Sequence, residues 1–146
     1  MDVNLHAVEV TYGSSRYDET LELRREVLRL PLGLDFTPEQ IQEERADFHL
    51  AIVSPAAVVA CLVLTPLSEL EIKMRQVAVL PPMQRGGIGT ALIKFSEDFA
   101  REKGFRRMVL NARDTAVPFY LAQGYDIEGE PFVEVSIPHR HMSKQL

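Results

Sequence analysis

The stretch that most constrains the fold of this 146-residue chain covers residues 74–99 and reads MRQVAVLPPMQRGGIGTALIKFSEDF. It opens with an apolar run typical of a strand, passes through a turn with three glycines, and continues as an amphipathic segment. A strand that leads through a glycine turn into a helix N-terminus often binds phosphate groups, because amide N–H groups and the helix dipole converge there. The stretch therefore predicts a site for a phosphorylated ligand.

The glycine turn, QRGGIG at residues 84–89, has the composition of an anion site. Glycine tolerates positive φ and lets amide groups approach a ligand closely. Arg85 adds a cation, Thr90 adds a hydroxyl, and the first turn of the following helix contains no acidic residue. A turn that serves backbone geometry alone is the alternative, since short glycine motifs recur by chance. The spacing fits neither a P-loop nor a dinucleotide-binding fingerprint.

Composition limits the class of protein. With 46% apolar residues, 25% charged residues and a formal net charge of −5, the chain is expected to form one globular domain over residues 1–146. It has no dense Lys/Arg run, which argues against a nucleic-acid or anionic-membrane surface. A single cysteine, Cys61, leaves no internal disulfide and no cysteine-based metal site, and no metal is expected. Without a recognisable signal peptide or spanning segment, a cytoplasmic location is expected.

Hydrophobic periodicity predicts strands interleaved with about four helices, and therefore an α/β or α+β domain with a mixed sheet. Strands are expected over residues 5–12, 48–54, 57–64, 69–80, 107–112, 125–128, 132–135 and 137–144. Helices are expected over residues 17–30, 37–45 and 88–103, and in a short segment that ends at residue 123. Charges within the first helix, Arg24 among them, are interpreted as its solvated face, and Glu44 as a surface residue.

Three segments together resemble the GCN5-related N-acetyltransferase (GNAT) superfamily. RQVAV at residues 75–79 with QRGGIGTAL at 84–92 resembles its acetyl-CoA motif, Q/R-x-x-G-x-G/A after a V-x-V strand. AVPFY at 116–120 with GY at 124–125, after NA at 111–112, is similar to its A-x-x-F-Y-x-x-x-G-F/Y segment. GEPFVE at 129–134, with IPH at 137–139 and Met142, resembles the ElaA-like subgroup.

The resemblance implies a single-domain fold with a mixed, mostly antiparallel sheet that splays between strands 4 and 5 and holds acetyl-CoA in the opening. Carried over by position, it assigns the cosubstrate to residues on the fourth strand, the glycine turn, the fifth strand and the following helix. These are Val77, Ala78, Val79, Gln84, Arg85, Gly86, Gly87, Ile88, Gly89, Thr90, Asn111, Phe119 and Tyr120.

Acetyl transfer to an amine needs a proton acceptor, a stabilised oxyanion and a protonated leaving thiol. Tyr120 is the candidate general acid, because phenol and thiol have ordinary pKa values of ~10 and ~8.5. Several relatives use a glutamate on the fourth strand as base, but Lys73 stands at that position here. Glu71, on the same strand face, is the candidate base instead, with a surface role as the alternative. Lys73, Arg75 and His139 are candidate acceptor contacts, and a structural role explains His139 equally well.

The expected function is an N-acetyltransferase that moves the acetyl group from acetyl-CoA directly to a primary amine of a small molecule or peptide. The alternatives are a non-catalytic acyl-CoA-binding or regulatory module on the same fold and a transferase that uses another acyl-CoA. The acidic charge balance favours a cationic amine. A second copy of the chain, in a homodimer, is a further candidate partner.

Overall fold

The structure, a computed structural model, describes residues 4–146; residues 1–3, which belong to the segment inspected for a signal peptide, lie outside it. The described chain contains one seven-stranded sheet in the order β1-β2-β3-β4-β5-β7-β6. Its strands are β1 (His6–Val10), β2 (Phe48–Val53), β3 (Val58–Pro66), β4 (Glu71–Val79), β5 (Arg107–Arg113), β6 (Asp126–Glu134) and β7 (Ile137–Gln145). The α-helices are α1 (Ser15–Arg24), α2 (Pro38–Glu43), α3 (Ile88–Glu102) and α4 (Val117–Ala122).

Neighbouring strands are antiparallel except for β4 and β5, which are parallel. This arrangement confirms the predicted fold class, a mixed and mostly antiparallel sheet with four α-helices. Across residues 4–146, none of the helices combines the length and the apolar character that a membrane crossing requires.

Two predicted elements differ from the structure. The helix predicted over residues 17–30 ends at Arg24 and continues as a π-helical turn, Arg25–Arg29, and a 3₁₀ turn, Leu30–Leu32. Over five residues, apolar spacing does not distinguish an α-turn from the wider π-turn. The two strands predicted at 125–128 and 132–135 are one strand, β6, with an irregular register between Glu128 and Phe132.

The sheet separates two apolar cores. The helices α3 and α4 cover one face, where Leu92, Met108 and Leu110 are buried. The helix α1 covers the other face, where Tyr17 and Cys61 are buried. Burial raises the pKa of the Cys61 thiol to about 12, so the interpretation of Cys61 as a small core residue is confirmed. Both faces of the central strands are therefore closed to water, as a buried mixed sheet requires.

The strands β4 and β5 separate halfway along their length. Their pairing begins at Glu71 with Arg107 and ends at Met74 with Leu110. Beyond Met74, within the described residues, β4 keeps its pairing with β3 but has none with β5. The backbone groups on that edge of β4 have no partner strand and can bond to a ligand, except for the Val79 carbonyl, which accepts a hydrogen bond from the Gln84 side chain.

A β-bulge at Gln76 sets the direction of this free half-strand. Cys61 pairs with Ala78 and Val63 with Arg75, so β4 has one more residue than β3 across this interval. Gln76 has a φ of 54°, a left-handed conformation that is uncommon for residues other than glycine. One extra residue reverses the alternation of side chains along a strand. Residues 77 and 79 therefore contact the α3-side core, as residues 72 and 74 do before the bulge.

A buried ion pair ties this bulge to α1. Arg24 donates from Nη1 and Nη2 to the two carboxylate oxygens of Glu44, at 2.8 Å each. Its Nη1 also donates to Oε1 of Gln76 at 3.0 Å, and the Tyr17 hydroxyl donates to Glu44 at 2.8 Å. The Arg24 and Glu44 side chains are 1% and 4% exposed. The prediction that these two charges face solvent is wrong, because α1 and the 3₁₀ turn at Glu44–Ala46 enclose both.

Burial alone would raise the pKa of Glu44, but the Arg24 guanidinium, which donates two hydrogen bonds to it, holds that pKa below its ordinary value. Desolvation also opposes the charge of Arg24, and the Glu44 carboxylate more than compensates, so the pKa of Arg24 is raised. The pair is thus charged in the folded protein and each member depends on the other.

We expect the substitution Glu44→Gln to lower the free energy of unfolding by about 3–5 kcal/mol, because it leaves the Arg24 charge buried without its partner. Urea denaturation measures the change. The control is Glu43→Gln, at an exposed neighbouring position, for which we expect a change within ~0.5 kcal/mol. Equal effects of the two substitutions would contradict the buried-pair account.

The same pair predicts a pH dependence. Because the pKa of Glu44 is lower in the folded than in the unfolded chain, its contribution is present above the unfolded pKa of ~4.3 and is lost as pH falls through the folded pKa. The difference in stability between the unsubstituted protein and Glu44→Gln should therefore shrink between about pH 5 and the acid limit of folding. A difference that stays constant over this range would contradict it.

Candidate active site

A cavity of about 520 Å³ lies between the glycine turn, the free half of β4 and α4; we call it the turn cavity. Nine of the residues predicted for the cosubstrate line it: Val77, Val79, Gln84, Arg85, Gly87, Gly89, Thr90, Phe119 and Tyr120. Four do not. Ala78 and Ile88 are buried in the two cores, Gly86 is exposed outside the lining, and Asn111 lines a second cavity.

The backbone of the glycine turn is shaped for an anion. Gly87 caps the N-terminus of α3 with a φ of 85°, and Arg85 also has a positive φ, of 66°. The first turn of α3 has unpaired amide groups and no acidic residue. The side chain of Gln84 donates to the Val79 carbonyl at 2.9 Å and so ties the turn to the end of β4. The cation of Arg85 completes an electropositive wall.

A second cavity, of about 410 Å³, lies on the α1 side of the sheet where β4 parts from β5; we call it the cleft cavity. The turn after α1 and the start of β7 close it. All three residues predicted to contact the acceptor, Lys73, Arg75 and His139, line it together with Asn111. Four candidates drawn from three strands are thus brought into one space.

The turn cavity and the cleft cavity meet. Val77, Ala116 and Tyr120 line both, so the free half of β4 and the first turns of α4 form a common wall. The Tyr120 side chain is almost enclosed, and its ring contacts Phe119 and Tyr125 edge-on at centroid distances of 5.1 and 5.8 Å. Burial raises the pKa of Tyr120 to about 12. Its hydroxyl therefore stays protonated at neutral pH and can donate a hydrogen bond.

His139 is held by a hydrogen bond that selects one tautomer. The ring is buried, and its Nδ1 lies 2.7 Å from the carbonyl oxygen of Ile137. Because a carbonyl only accepts, Nδ1 carries the proton and Nε2 of the neutral ring is left with a lone pair. Nε2 lies 3.6 Å from a carboxylate oxygen of Glu134. The pair can accept a proton at Nε2 and stabilise the resulting imidazolium.

The importance of Glu134 does not follow from the sequence, since it depends on how the hairpin of β6 and β7 is aligned. In the structure Glu134 is opposite Ile137, at the tight end of that hairpin. Among the described residues that line the two cavities, Glu134 is the only carboxylate. A spacing of five residues from a histidine is too common to signal such a pair.

Asn111 and His141 form a second polar pair at the mouth of β5. The Nδ1 of His141 donates to the Asn111 side-chain oxygen at 2.6 Å. Phe132 stacks on the His141 ring at 4.2 Å and on the His139 ring at 5.6 Å between centroids. These contacts orient the Asn111 amide group at the edge of the cleft cavity.

The structure puts Glu71 apart from both cavities. It pairs with Arg107 at the end of β4 opposite to the splay, and Arg107 also pairs with Glu128. Its carboxylate is therefore committed to a cation on the next strand. Lys73, two residues along on the same face, does reach the cleft cavity.

Comparison with known proteins gives a family match. The acetyltransferase (GNAT) family matches residues 17–125 of the chain. A relative described as an uncharacterized N-acetyltransferase, YjcF of Bacillus subtilis, is 36% identical over 73 residues, which are 49% of this chain and 52% of the relative. The chain spans about half the length of the curated relatives it matches.

Solved structures share the fold over nearly the full length of the chain. A GNAT family acetyltransferase from Elizabethkingia anophelis with acetyl-CoA bound has a TM-score of 0.73 and 20% identity, covering 99% of this chain and 100% of its own. Escherichia coli ElaA has a TM-score of 0.80 and 17% identity, covering 96% of this chain and 99% of its own. The family match confirms the predicted superfamily, and at these identities the solved structures show the common fold.

The glycine turn generates a prediction about acetyl-CoA. We expect Gly87→Asp to weaken its binding at least ~100-fold, because a carboxylate close to a phosphate costs several kcal/mol. The control is Gly104→Asp, since Gly104 also has a positive φ, of 94°, with no neighbouring atom within 4 Å of an added Cβ. Titration calorimetry measures both. If Gly87→Asp binds as Gly104→Asp does, the pyrophosphate does not lie at this turn.

Proposed function

The chain belongs to the acetyltransferase (GNAT) family, and from that premise we propose that it transfers the acetyl group of acetyl-CoA directly to a primary amine of a small molecule or peptide. The observation that carries this proposal is the common wall of the two cavities at Val77, Ala116 and Tyr120. A thioester bound along one cavity can there present its carbonyl to a nucleophile in the other, which replaces a bimolecular encounter by a fixed geometry.

Three features support acetyl-CoA as the cosubstrate. The unpaired edge of β4 at residues 77–79 offers backbone groups to the amide-containing pantetheine arm, in the manner of an added strand. The glycine turn and Arg85 provide N–H donors and a cation for the pyrophosphate. The structural neighbour from Elizabethkingia anophelis is described with acetyl-CoA bound. We assign Asn111, at the mouth of β5, to the reactive end of the cosubstrate.

Tyr120 is proposed as the donor to the leaving sulfur. With a pKa of about 12 against ~8.5 for a thiol, complete proton transfer is unfavourable by about 3.5 pK units, or ~5 kcal/mol. A hydrogen bond from the neutral phenol to the developing thiolate has no such cost and is strengthened in a site that excludes water. The hydroxyl therefore stabilises the thiolate, which takes its proton finally from solvent.

His139 is proposed as the base, in place of Glu71. His139 lines the cleft cavity, its Nε2 has the lone pair, and a carboxylate oxygen of Glu134 lies 3.6 Å from that atom. An alkylamine has a pKa near ~10 and must lose a proton to react near neutral pH. The Glu134 carboxylate would stabilise both the incoming ammonium and the imidazolium that forms.

The ammonium first gives one proton to Nε2 of His139, which passes it to solvent. The neutral amine nitrogen then forms a bond to the acetyl carbon, and the tetrahedral oxyanion accepts hydrogen bonds from free N–H groups of β4. The second proton on that nitrogen passes to Nε2 of His139. The carbon–sulfur bond then breaks, and the thiolate of CoA leaves beside the Tyr120 hydroxyl. The products are an N-acetylated amine and CoA.

The direct test measures release of free thiol from acetyl-CoA upon addition of single primary amines, with acetyl-CoA alone as the blank and mass spectrometry of the acetylated amine. We expect amine-dependent release with equal amounts of the two products. Binding of acetyl-CoA without release for any amine would favour the regulatory module, and release only from another acyl-CoA would reassign the donor.

We expect Tyr120→Phe to lower kcat about 100-fold, the typical loss for one donor to a developing charge, with acetyl-CoA affinity within ~3-fold. The control is Tyr125→Phe, since Tyr125 lines neither cavity and donates to Glu97 at 2.8 Å. That substitution should reduce stability and leave kcat nearly unchanged. An unaltered kcat in Tyr120→Phe would exclude its role at the sulfur.

We expect His139→Gln to lower the rate at pH 7 about 100-fold, and the deficit to shrink as pH rises toward the amine pKa of ~10, where the amine deprotonates without help. The control is His6→Gln, at an exposed position of β1. Rate profiles from pH 6.5 to pH 9.5 separate the outcomes. A deficit that is equal at every pH would assign His139 to structure instead of proton transfer.

A further inference from the structure

We propose that the acceptor carries an oxyanion, a carboxylate or a phosphate, in addition to the amine that is acetylated; this inference rests on the proposed function. The cleft cavity is lined by the cationic side chains of Arg29, Lys73, Arg75 and Arg113, against the single carboxylate of Glu134. The chain as a whole has a formal net charge of −5. The local excess of positive charge is therefore opposite to that of the protein.

Three of these cations form no salt bridge, although the Arg29 charge also acts on Asp35, whose pKa is lowered chiefly by Arg25 and to a smaller extent by Arg29. Within residues 4–146, no ion pair forms at Arg29, Lys73 or Arg113. Arg75 differs, because its Nη1 lies 3.9 Å from a carboxylate oxygen of Asp47 and donates to the Thr65 hydroxyl at 3.4 Å. Each of the three unpaired cations is half-buried, where a charge gains more from a bound anion than it does in open water.

The three cations come from separate elements that meet over one face of the sheet. Lys73 is on β4 opposite Val109, and Arg113 follows four residues later on β5, so both side chains project to the same face. Arg29 ends the π-helical turn that extends α1 over this face. Its guanidinium lies 4.6 Å from the centre of the Phe36 ring, which orients its N–H donors. Guanidinium groups match the paired oxygens of carboxylates and phosphates.

The negative charge of Glu134 indicates where the amine of the acceptor would bind in the cleft cavity. Arg113 and His139 are register partners on β5 and β7, and the Cβ atoms of such partners lie ~5 Å apart. An ammonium group drawn to Glu134 and His139 would therefore leave an acid group on the same molecule within reach of Arg113. A compact amino acid or amino phosphate fits this layout and a volume of about 410 Å³. A polyamine would meet three unpaired cations.

This inference replaces the expectation of a cationic acceptor, which rests on the net charge of the chain. Net charge governs long-range steering, but half-buried charges at the site determine which ligand stays bound. The net charge of the chain thus favours a cationic acceptor, whereas the cations of the cleft cavity favour an acceptor with an anionic group.

Anion binding tests the inference without turnover. Malonate and inorganic phosphate are titrated into protein saturated with CoA, which keeps the glycine turn occupied. We expect Lys73→Gln and Arg113→Gln each to weaken binding of the preferred anion at least ~10-fold, since each substitution removes a charged hydrogen-bond donor. The matched control Lys94→Gln, at an exposed position on α3, should remain within ~2-fold. No binding to the unsubstituted protein, or equal binding to all variants, would overturn the inference.

Turnover provides the second arm, with amine pairs that differ in one acid group: glycine and glutamate against their amides, and phosphoethanolamine against ethanolamine, with spermidine as a polycation. We expect kcat/KM at least ~10-fold higher for the acid member, and the preferred pair distinguishes carboxylate from phosphate. Preference for a neutral or polycationic amine would overturn the inference. If none of these amines causes thiol release, that result contradicts the proposed function. The anion titration remains an independent result in that case.

Discussion

The ion pair between Arg24 and Glu44 is the interaction on which the architecture of the site depends. It is buried, and Gln76 and Tyr17 add hydrogen bonds to Arg24 and to Glu44, so removing either charge leaves the other buried without its partner. Through Gln76 it holds β4 in a left-handed backbone conformation that would otherwise be unfavourable. Strain at this residue is thus stabilised by an electrostatic contact from α1, and the direction of the last third of β4 follows from it.

The bulge at Gln76 determines which residues of β4 line each of the two cavities. Beyond it, Val77 and Val79 lie beside the glycine turn with one strand edge unpaired, and Lys73, before it, lies in the cleft cavity. In the function we propose, the two sides of the sheet therefore have different roles: backbone donors and a helix N-terminus bind the cosubstrate, and half-buried cations bind the acceptor. Tyr120 is where these two environments meet, in a position dry enough to keep its hydroxyl neutral.

Local patterns predict most of the fold and most of the residues that line the turn cavity. Each of three motifs is a continuous run of residues that can be recognised in the sequence: the glycine turn, the V-x-V strand and the Phe119–Tyr120 segment. The structure brings all three to one cavity. Partners distant in sequence could not be predicted in this way. Arg24 and Glu44 look like ordinary helix-surface charges, and their burial follows only from the packing of α1 on the sheet. Glu134 lies beside His139 only because of the register of the β6–β7 hairpin. Glu71 forms an ion pair with Arg107, which is 36 residues away in the sequence.

The central claim is that the free edge of β4 created by the Gln76 bulge receives the pantetheine arm of acetyl-CoA. Hydrogen–deuterium exchange at the amides of Val77 and Val79 measures this directly, because an unpaired amide exchanges quickly and a hydrogen-bonded one does not. The account predicts rapid exchange in the free protein and strong protection at saturating acetyl-CoA, with the β3-paired amides of residues 72–74 unchanged. Saturation with acetyl-CoA that leaves exchange at residues 77 and 79 as fast as before would contradict it.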